Sequence, residues 1–214
     1  MTPHKPHLPP KKRRTWSEAM ARKKSVKLAA KLFSTAADQI NMFFNKTSGL
    51  EAEWHSWCTD YAVIRLYSEF EILMLSALVG AINNDTATLS ETSGFDFPAH
   101  LSQDVCTYLI VGKGYFDFKG RDGLIRIVRQ FVPETHYLVG ILKDPDYKEA
   151  LEQLSALRDF GAHRSNKAKK AAVKSIGGER IGSAGSWLNK QNRFGTLCDA
   201  LKKLAHAIEK KAPY

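Results

Sequence analysis

The stretch EFEILMLSALVGAI, residues 69–82, decides the fold class because it is apolar on nearly every side. It forms the second half of a longer pattern with helical periodicity, which predicts one helix from about Glu51 to Asn83. A helix that is apolar all round is expected to lie centrally in a bundle or against a partner. This helix is therefore predicted to be the element around which the others pack.

Further helices are predicted on both sides of it. Apolar residues at three- and four-residue steps predict a first helix from Ser25 to about Asn45. Asp144 and Pro145 have the residue types of an N-cap and a first helical position, and they begin a helix that runs through Leu151 and Leu154 to the stretch LRDFGAHR, residues 157–164. Further helices are expected at residues 100–111, 124–132 and 187–211, and residues 83–100 and 175–186 are expected to be loops.

No β-strand pattern is convincing, apart from a short extended piece around Tyr115 to Phe118. The composition, 43% hydrophobic and 25% charged, is ordinary for a globular domain. We therefore predict an all-α fold, a bundle of about five to seven helices within a single domain at residues 21–214. Residues 1–20 carry four prolines and a basic run with little to bury, and they are predicted to be a disordered basic arm.

The net charge of +10 is concentrated at the two ends of the chain. Residues 1–31 and residues 164–214 each carry a balance of +9, whereas residues 32–163 carry −8. This asymmetry favours a polyanionic partner, most simply nucleic acid. The alternative is a solubilising surface with a loose basic tail.

Several function classes receive no support from the sequence. The longest apolar runs are shorter than a membrane span, and residues 2–16 lack the apolar core of a secretory signal, so we expect a cytoplasmic protein without membrane contact. The three cysteines, Cys58, Cys106 and Cys198, show neither disulfide nor zinc spacing. Phosphate-loop, zinc-protease and serine-hydrolase motifs are missing, so no cofactor or metal is expected.

The stretch LRDFGAHR, residues 157–164, carries the strongest chemical signal. The planar donor fork of Arg158 fits phosphate oxygens, and His163 can exchange protons near neutral pH. On an ideal helix, however, a five-residue step turns the side chains about 140° apart. Either the helix distorts near Gly161 or a second copy of the chain supplies complementary groups. A purely structural alternative pairs Arg158 with an acidic neighbour and lets His163 cap the helix.

Residues 158–163 match the Arg-[Asn/Asp/His]-x-x-x-His motif on a late helix, and the chain thereby resembles the HEPN superfamily. The upstream YSEFEILMLSAL, residues 67–78, is similar to the glutamate-containing segment of the RiboL-PSP branch, with Glu71 preferred over Glu69 as the equivalent glutamate. GYFDF, residues 114–118, also resembles a connection in these families. The resemblance covers about residues 25–210.

The resemblance implies a homodimer with a composite active site and metal-independent endoribonuclease activity that leaves a 2′,3′-cyclic phosphate. Such proteins often act in toxin–antitoxin or antiphage systems, with an antitoxin or regulatory protein as a partner. By position, Arg158 would clamp the phosphate, His163 would act as acid or base, and Asp159 would orient them. Glu71 would hold Arg158 or be structural. Arg164 departs from the family, in which a small residue such as glycine is frequent after the motif.

A basic run follows the motif directly and is expected to bind the RNA backbone or to form a solvated helix face. It comprises Arg164, Lys167, Lys169, Lys170 and Lys174. Aromatic residues upstream could stack on bases, although such clusters are more often core. They are Tyr108, Tyr115, Phe116 and Phe118.

Two functions compete with a dimeric ribonuclease. One is a non-catalytic module that binds RNA, a nucleotide or a protein, and the other is an interaction protein that uses its long apolar helices only to dimerise.

Overall fold

Ten α-helices and one short 3-10 helix make up the regular structure in the computed structural model, which describes residues 23–214. Within these residues there is no β-strand, so the all-α prediction is confirmed. The predicted basic arm lies outside the described residues. The helices are α1 (Val26–Lys46), α2 (Ala52–Asn84), α3 (Ala87–Ser93), α4 (Gln103–Val111), α5 (Gly120–Val128), α6 (Tyr137–Lys143), the 3-10 helix (Pro145–Tyr147), α7 (Lys148–His163), α8 (Asn166–Ser175), α9 (Ala184–Leu188) and α10 (Arg193–Lys211).

Helix α2 is the central element, as its sequence predicted. Helices α1, α4, α7 and α9 all pack against it. Its second half buries Phe70, Leu73, Met74 and Leu78 almost completely, and Phe70 meets Phe33 of α1 edge to face with ring centroids 5.7 Å apart. Burial of side chains of this size contributes about 1.5–3 kcal/mol each, which fixes α2 in the interior.

Helix α10 closes the bundle against α1. Leu197, Leu201, Leu204 and Ile208 form its buried face, and its lysines are mostly exposed. The helix begins later than predicted, at Arg193 instead of Trp187, because the helical conformation is interrupted between α9 and α10. There Gln191 and Asn192 both adopt a φ of 54°, which an α-helix cannot accommodate.

The predicted number of five to seven helices is wrong, because the described residues hold ten. The additional elements are short helices within segments expected to be loops or left unassigned: α3, α6, α8 and α9. Such helices have little intrinsic stability and depend on local anchors. Helix α8, for example, buries only Ala168 and Ala172, and α9 begins with a reciprocal capping box between Ser183 and Ser186.

The Asp144 cap forms as expected but begins a different element. The Asp146 N–H donates to Oδ1 of Asp144 (3.0 Å), and Pro145 opens the 3-10 helix that leads into α7. Helix α7 then continues without a break to His163, so the chain does not distort at Gly161.

All three cysteines are free thiols, and Cys106 and Cys198 are buried. Among residues 23–214, no helix has both the length and the apolar character that crossing a membrane requires.

Candidate functional site

A groove of about 1140 Å³ lies between α7, α8 and the segment that enters α5. Arg158, Asp159 and His163 all line it from α7, and Lys167 and Lys174 line it from α8. The groove follows α7 over its whole length, from Lys148 to His163, and continues past its end to Ser165. Arg158 and His163 therefore both line it although the helix is regular at Gly161.

The guanidinium of Arg158 contacts two neighbours, Asp159 and Tyr67. Its Nη1 donates to Oδ1 of Asp159 (2.7 Å), and its central carbon lies 4.5 Å from the centre of the Tyr67 ring. Burial alone would lower the pKa of Arg158, but Asp159, Tyr67 and Glu71 outweigh it and raise the pKa above its ordinary value. Arg158 is therefore a fixed cation whose side chain retains 26% of its exposure at the groove.

Tyr67 connects Arg158 to the segment before α5. Its ring stacks on Phe118 with centroids 4.9 Å apart and an interplanar angle of 25°. Its hydroxyl donates to the carbonyl oxygen of Phe118 (2.7 Å) and to Oδ1 of Asp117 (2.9 Å), so two acceptors share one proton. Burial is the largest cause that raises the pKa of this phenol. Tyr67 is therefore a neutral hydrogen-bond donor that fixes the position of Asp117, a groove residue.

Glu71 and Glu69 face different surroundings. Glu71 lies within electrostatic reach of Arg158 and Asp117, and its pKa is raised to about 7. Burial is the main cause, Asp117 adds to it, and Arg158 and the nearby Tyr67 hydroxyl oppose it. Glu69 instead pairs with Arg65 and lines a separate pocket with Ile72.

Replacing Glu71 with glutamine should change how stability depends on pH. The folded-state pKa of Glu71, about 7, exceeds its ordinary value of 4.5, so the stability that this group contributes falls as pH rises from 4.5 through 7. Glutamine does not titrate. We therefore compare the free energy of unfolding of Glu71→Gln with that of wild type at each pH. The difference should favour the variant by about 1–2 kcal/mol more at pH 8 than at pH 5, after allowance for partial exposure. Urea unfolding at both pH values measures this difference.

The matched control is Glu69→Gln, which removes a glutamate charge from the same helix two residues away. A difference between pH 5 and pH 8 that is equal in the two variants would contradict the special role of Glu71.

His163 is the last residue of α7 and is exposed. Among residues 23–214 its imidazole has no hydrogen bond or ion pair, so the ring is accessible to a ligand in the groove. The contacts expected for a purely structural role are present in part. Arg158 pairs with the neighbouring Asp159, and His163 lies in the final turn of α7. Neither contact removes the two side chains from the groove.

The turn after His163 is formed by Arg164, which directly follows the Arg-x4-His stretch. Arg164 adopts a left-handed conformation (φ 48°), which favours glycine. Its Nη2 lies 3.2 Å from Oδ2 of Asp60, and the Gly185 N–H donates to Oδ1 of the same carboxylate (2.7 Å). Burial raises the pKa of Asp60, although Gly185 and Arg164 oppose this. The ion pair with Asp60 therefore anchors the side chain of Arg164 in this turn.

Not all residues of the predicted basic run face the groove. Lys167 and Lys174 line it, Lys169 and Lys170 are exposed on α8 outside its lining, and Arg164 turns towards Asp60. Besides His163, the lining carries five carboxylates and five lysine or arginine side chains. The acidic residues are Asp117, Asp122, Glu149, Glu152 and Asp159. The basic residues are Lys119, Lys148, Arg158, Lys167 and Lys174.

Sequence reasoning missed several groove residues and their supports, namely Tyr67, Asp117, Lys119, Lys148 and Asp60. Tyr67 had a usable signal, because it lies four residues before Glu71 and therefore on the same face of α2. Asp60 had none, since its partners Arg164 and Gly185 are more than a hundred positions away in the chain.

Comparison with protein-family models, with curated proteins and with solved structures found no match to this chain. The geometry of the groove and the Arg-x4-His resemblance are therefore the two sources for a functional proposal.

Proposed function

We propose that this chain is a metal-independent endoribonuclease of HEPN type. The observation that carries the proposal is that Arg158 and His163 line one groove, with Arg158 held as a fixed cation by Asp159 and Tyr67. A fixed cation and an accessible imidazole are two of the groups that RNA cleavage by internal attack requires.

In this reaction the 2′-oxygen attacks the adjacent phosphorus, and the bond from phosphorus to the 5′-oxygen breaks. His163 accepts the proton of the 2′-hydroxyl, and the imidazolium so formed gives that proton to the departing 5′-oxygen. The products are a 2′,3′-cyclic phosphate and a 5′-hydroxyl. Arg158 stabilises the negative charge that develops on the phosphoryl oxygens, and its planar donor fork suits that geometry.

Binding of the RNA backbone is assigned to the lysines around the groove rather than to the whole basic run. Lys167 and Lys174 line the α8 wall, and Lys119 and Lys148 lie at other parts of the lining. The acidic residues of the same groove limit non-specific attraction, so the lysines and Arg158 should select where phosphates can lie.

The test is cleavage of total cellular RNA and of a mixed-sequence oligonucleotide by the purified full-length chain in EDTA, with identification of the product ends. Cleavage to 2′,3′-cyclic phosphate supports the proposal. RNA binding without cleavage on either substrate favours the non-catalytic module, and the absence of both favours an interaction protein.

We propose further that the protein is a homodimer. Because Arg158 and His163 line the same groove of one chain, we propose that each chain supplies both residues to its own groove, instead of the composite site that the resemblance implies. Light scattering should give about twice the chain mass of 24.0 kDa. Co-expression of Arg158→Ala and His163→Ala chains with different tags tests whether the Arg158 and His163 of one active site come from the same chain. Mixed dimers should remain inactive, because no groove then holds both residues.

Recovery of about one quarter of wild-type activity would contradict this arrangement. It is the value expected if Arg158 of one chain works with His163 of the other, since half of the dimers are mixed and each has one intact site.

The cellular role within this proposal is that of a toxin or antiphage effector controlled by an antitoxin or other regulatory protein. Induced expression in a bacterial host tests it, because the wild-type chain should arrest growth and the Arg158→Ala chain should not.

A further inference from the structure

The segment Tyr115 to Lys119 presents alternate side chains to opposite sides. Phe116 and Phe118 are buried at 8% and 3% exposure, whereas Tyr115, Asp117 and Lys119 are exposed. This period of two is that of an extended chain with one side packed on the core. Tyr115, Asp117 and Lys119 therefore form one exposed edge, which we call the groove rim.

Two members of the groove rim, Asp117 and Lys119, line the groove that holds Arg158 and His163. Tyr115 extends the same edge by one step of two residues, about 7 Å in an extended chain. Its side chain is 90% exposed, which makes it the most exposed large hydrophobic residue within the described part of the chain. Lys113, also exposed, precedes it.

The groove rim is fixed at both ends and in the middle. At the first end the Gly114 N–H donates to the carbonyl oxygen of Val111, the last residue of α4 (3.0 Å), and at the other end Gly120 (φ 64°) begins α5, where its N–H donates to Oγ of Ser155 (3.0 Å). Between them the Tyr67 hydroxyl bonds to Asp117 and to the Phe118 carbonyl. The same Tyr67 ring contacts Arg158. The backbone that carries Tyr115 is thus tied to the residue assigned to the phosphate.

We propose that Tyr115 is a base-stacking residue that holds one unpaired base of the RNA beside this groove. The inference rests on the proposed function and adds a substrate-positioning residue to it. An exposed phenol ring on an anchored backbone offers an aromatic face at little entropic cost, and base stacking on such rings does not depend on base identity. Lys113 and Lys119 flank the ring and can contact the adjoining phosphates.

A single strand is favoured over a duplex because both faces of a paired base are already covered by its neighbours. Only an unstacked base can place its face against Tyr115. Cleavage by internal attack also requires a flexible backbone in which the 2′-oxygen can align with the departing 5′-oxygen, and an unpaired nucleotide provides that freedom.

The experiment measures binding of a fluorescein-labelled single-stranded RNA by fluorescence anisotropy, with His163→Ala as the parent chain so that cleavage cannot interfere. Adding Tyr115→Ala should weaken binding about five- to hundredfold, the range measured for loss of one stacked base. Tyr115→Phe should retain the affinity, because the ring is kept. The slope of affinity against salt should be unchanged by Tyr115→Ala and reduced by Lys167→Ala.

Tyr108→Ala is the matched control, since Tyr108 is another exposed tyrosine (59%) but lies on α4 rather than on the groove rim. Equal affinities of Tyr115→Ala and Tyr108→Ala would overturn the inference. So would equal weakening of a duplex and a single strand by Tyr115→Ala, or an absence of single-strand binding by the parent. Failure of the proposed function would give a different result. The wild-type chain would bind the strand, Tyr115→Ala would weaken that binding, and the strand would remain uncut.

Discussion

Cleavage of RNA should fall by about 10²–10⁴-fold when His163 is replaced by alanine, the usual contribution of a positioned acid–base group. The exposed imidazole makes no hydrogen bond or ion pair within residues 23–214, so its removal should cost little stability. Thermal unfolding of His163→Ala should therefore match wild type while turnover collapses. Retained RNA affinity would assign the loss to the chemical step rather than to binding.

Arg158→Ala should reduce cleavage to a similar extent but for a different reason, the loss of charge stabilisation on the phosphoryl oxygens. Arg158→Lys should restore only part of the rate, because a lysine keeps the charge but lacks the planar donor fork and the stacking on Tyr67. The graded order of wild type, Lys and Ala at position 158 would separate a phosphate clamp from a merely structural cation.

Two matched controls have the same residue types outside the groove. His206→Ala removes an exposed histidine of α10 that pairs with Glu209, and Arg65→Ala removes an exposed arginine of α2 that pairs with Glu69. Both should cleave RNA like wild type. Cleavage by His163→Ala within twofold of these controls would contradict the assignment of His163.

The elements that the sequence predicted well are those in which local signals and packing agree. The Leu28 N–H donates to Oγ of Ser25, which caps α1, and the helix begins at Val26, one residue after the predicted start. The apolar stretch at residues 69–82 lies in α2 and is largely buried, as expected. The position of Arg158 and His163 on one late helix followed from the Asp144 cap and the leucine periodicity of α7. In these segments hydrophobic period, caps and length point to one answer.

The short helices and the supports of the site could not be predicted, because their causes are distant in the chain. The sequence of α8 has the pattern of a solvated basic stretch, and its two buried residues, Ala168 and Ala172, are covered only because the helix packs against α7. The alternation at Tyr115 to Phe118 suggested an extended piece, but only the fold places Asp117 beside the groove. Asp60 and Arg164 are separated by 104 positions, and no local pattern marks them as partners.

The contact between α9 and α2 shows how such a distant cause acts on the site. Gly185 of α9 lies against the backbone of Ser56, and its N–H donates to Asp60, whose other oxygen holds Arg164 directly after His163. The close approach of α9 therefore fixes both the fold at this end of the bundle and the turn that ends the motif helix.

Gly185→Ala should accordingly be strongly destabilising. A β-carbon at this position would lie 2.2 Å from the Ser56 carbonyl oxygen, a backbone atom that cannot rotate away. We expect a loss of about 3 kcal/mol or more, the upper range for overpacking, and a melting temperature lower by about 6–12 °C for a chain of this size. Gly140→Ala in α6 is the control, because nothing lies within 4 Å of its added carbon, and it should be neutral or stabilising by up to about 1 kcal/mol. Equal melting temperatures for the two variants would contradict the close packing of α9 on α2.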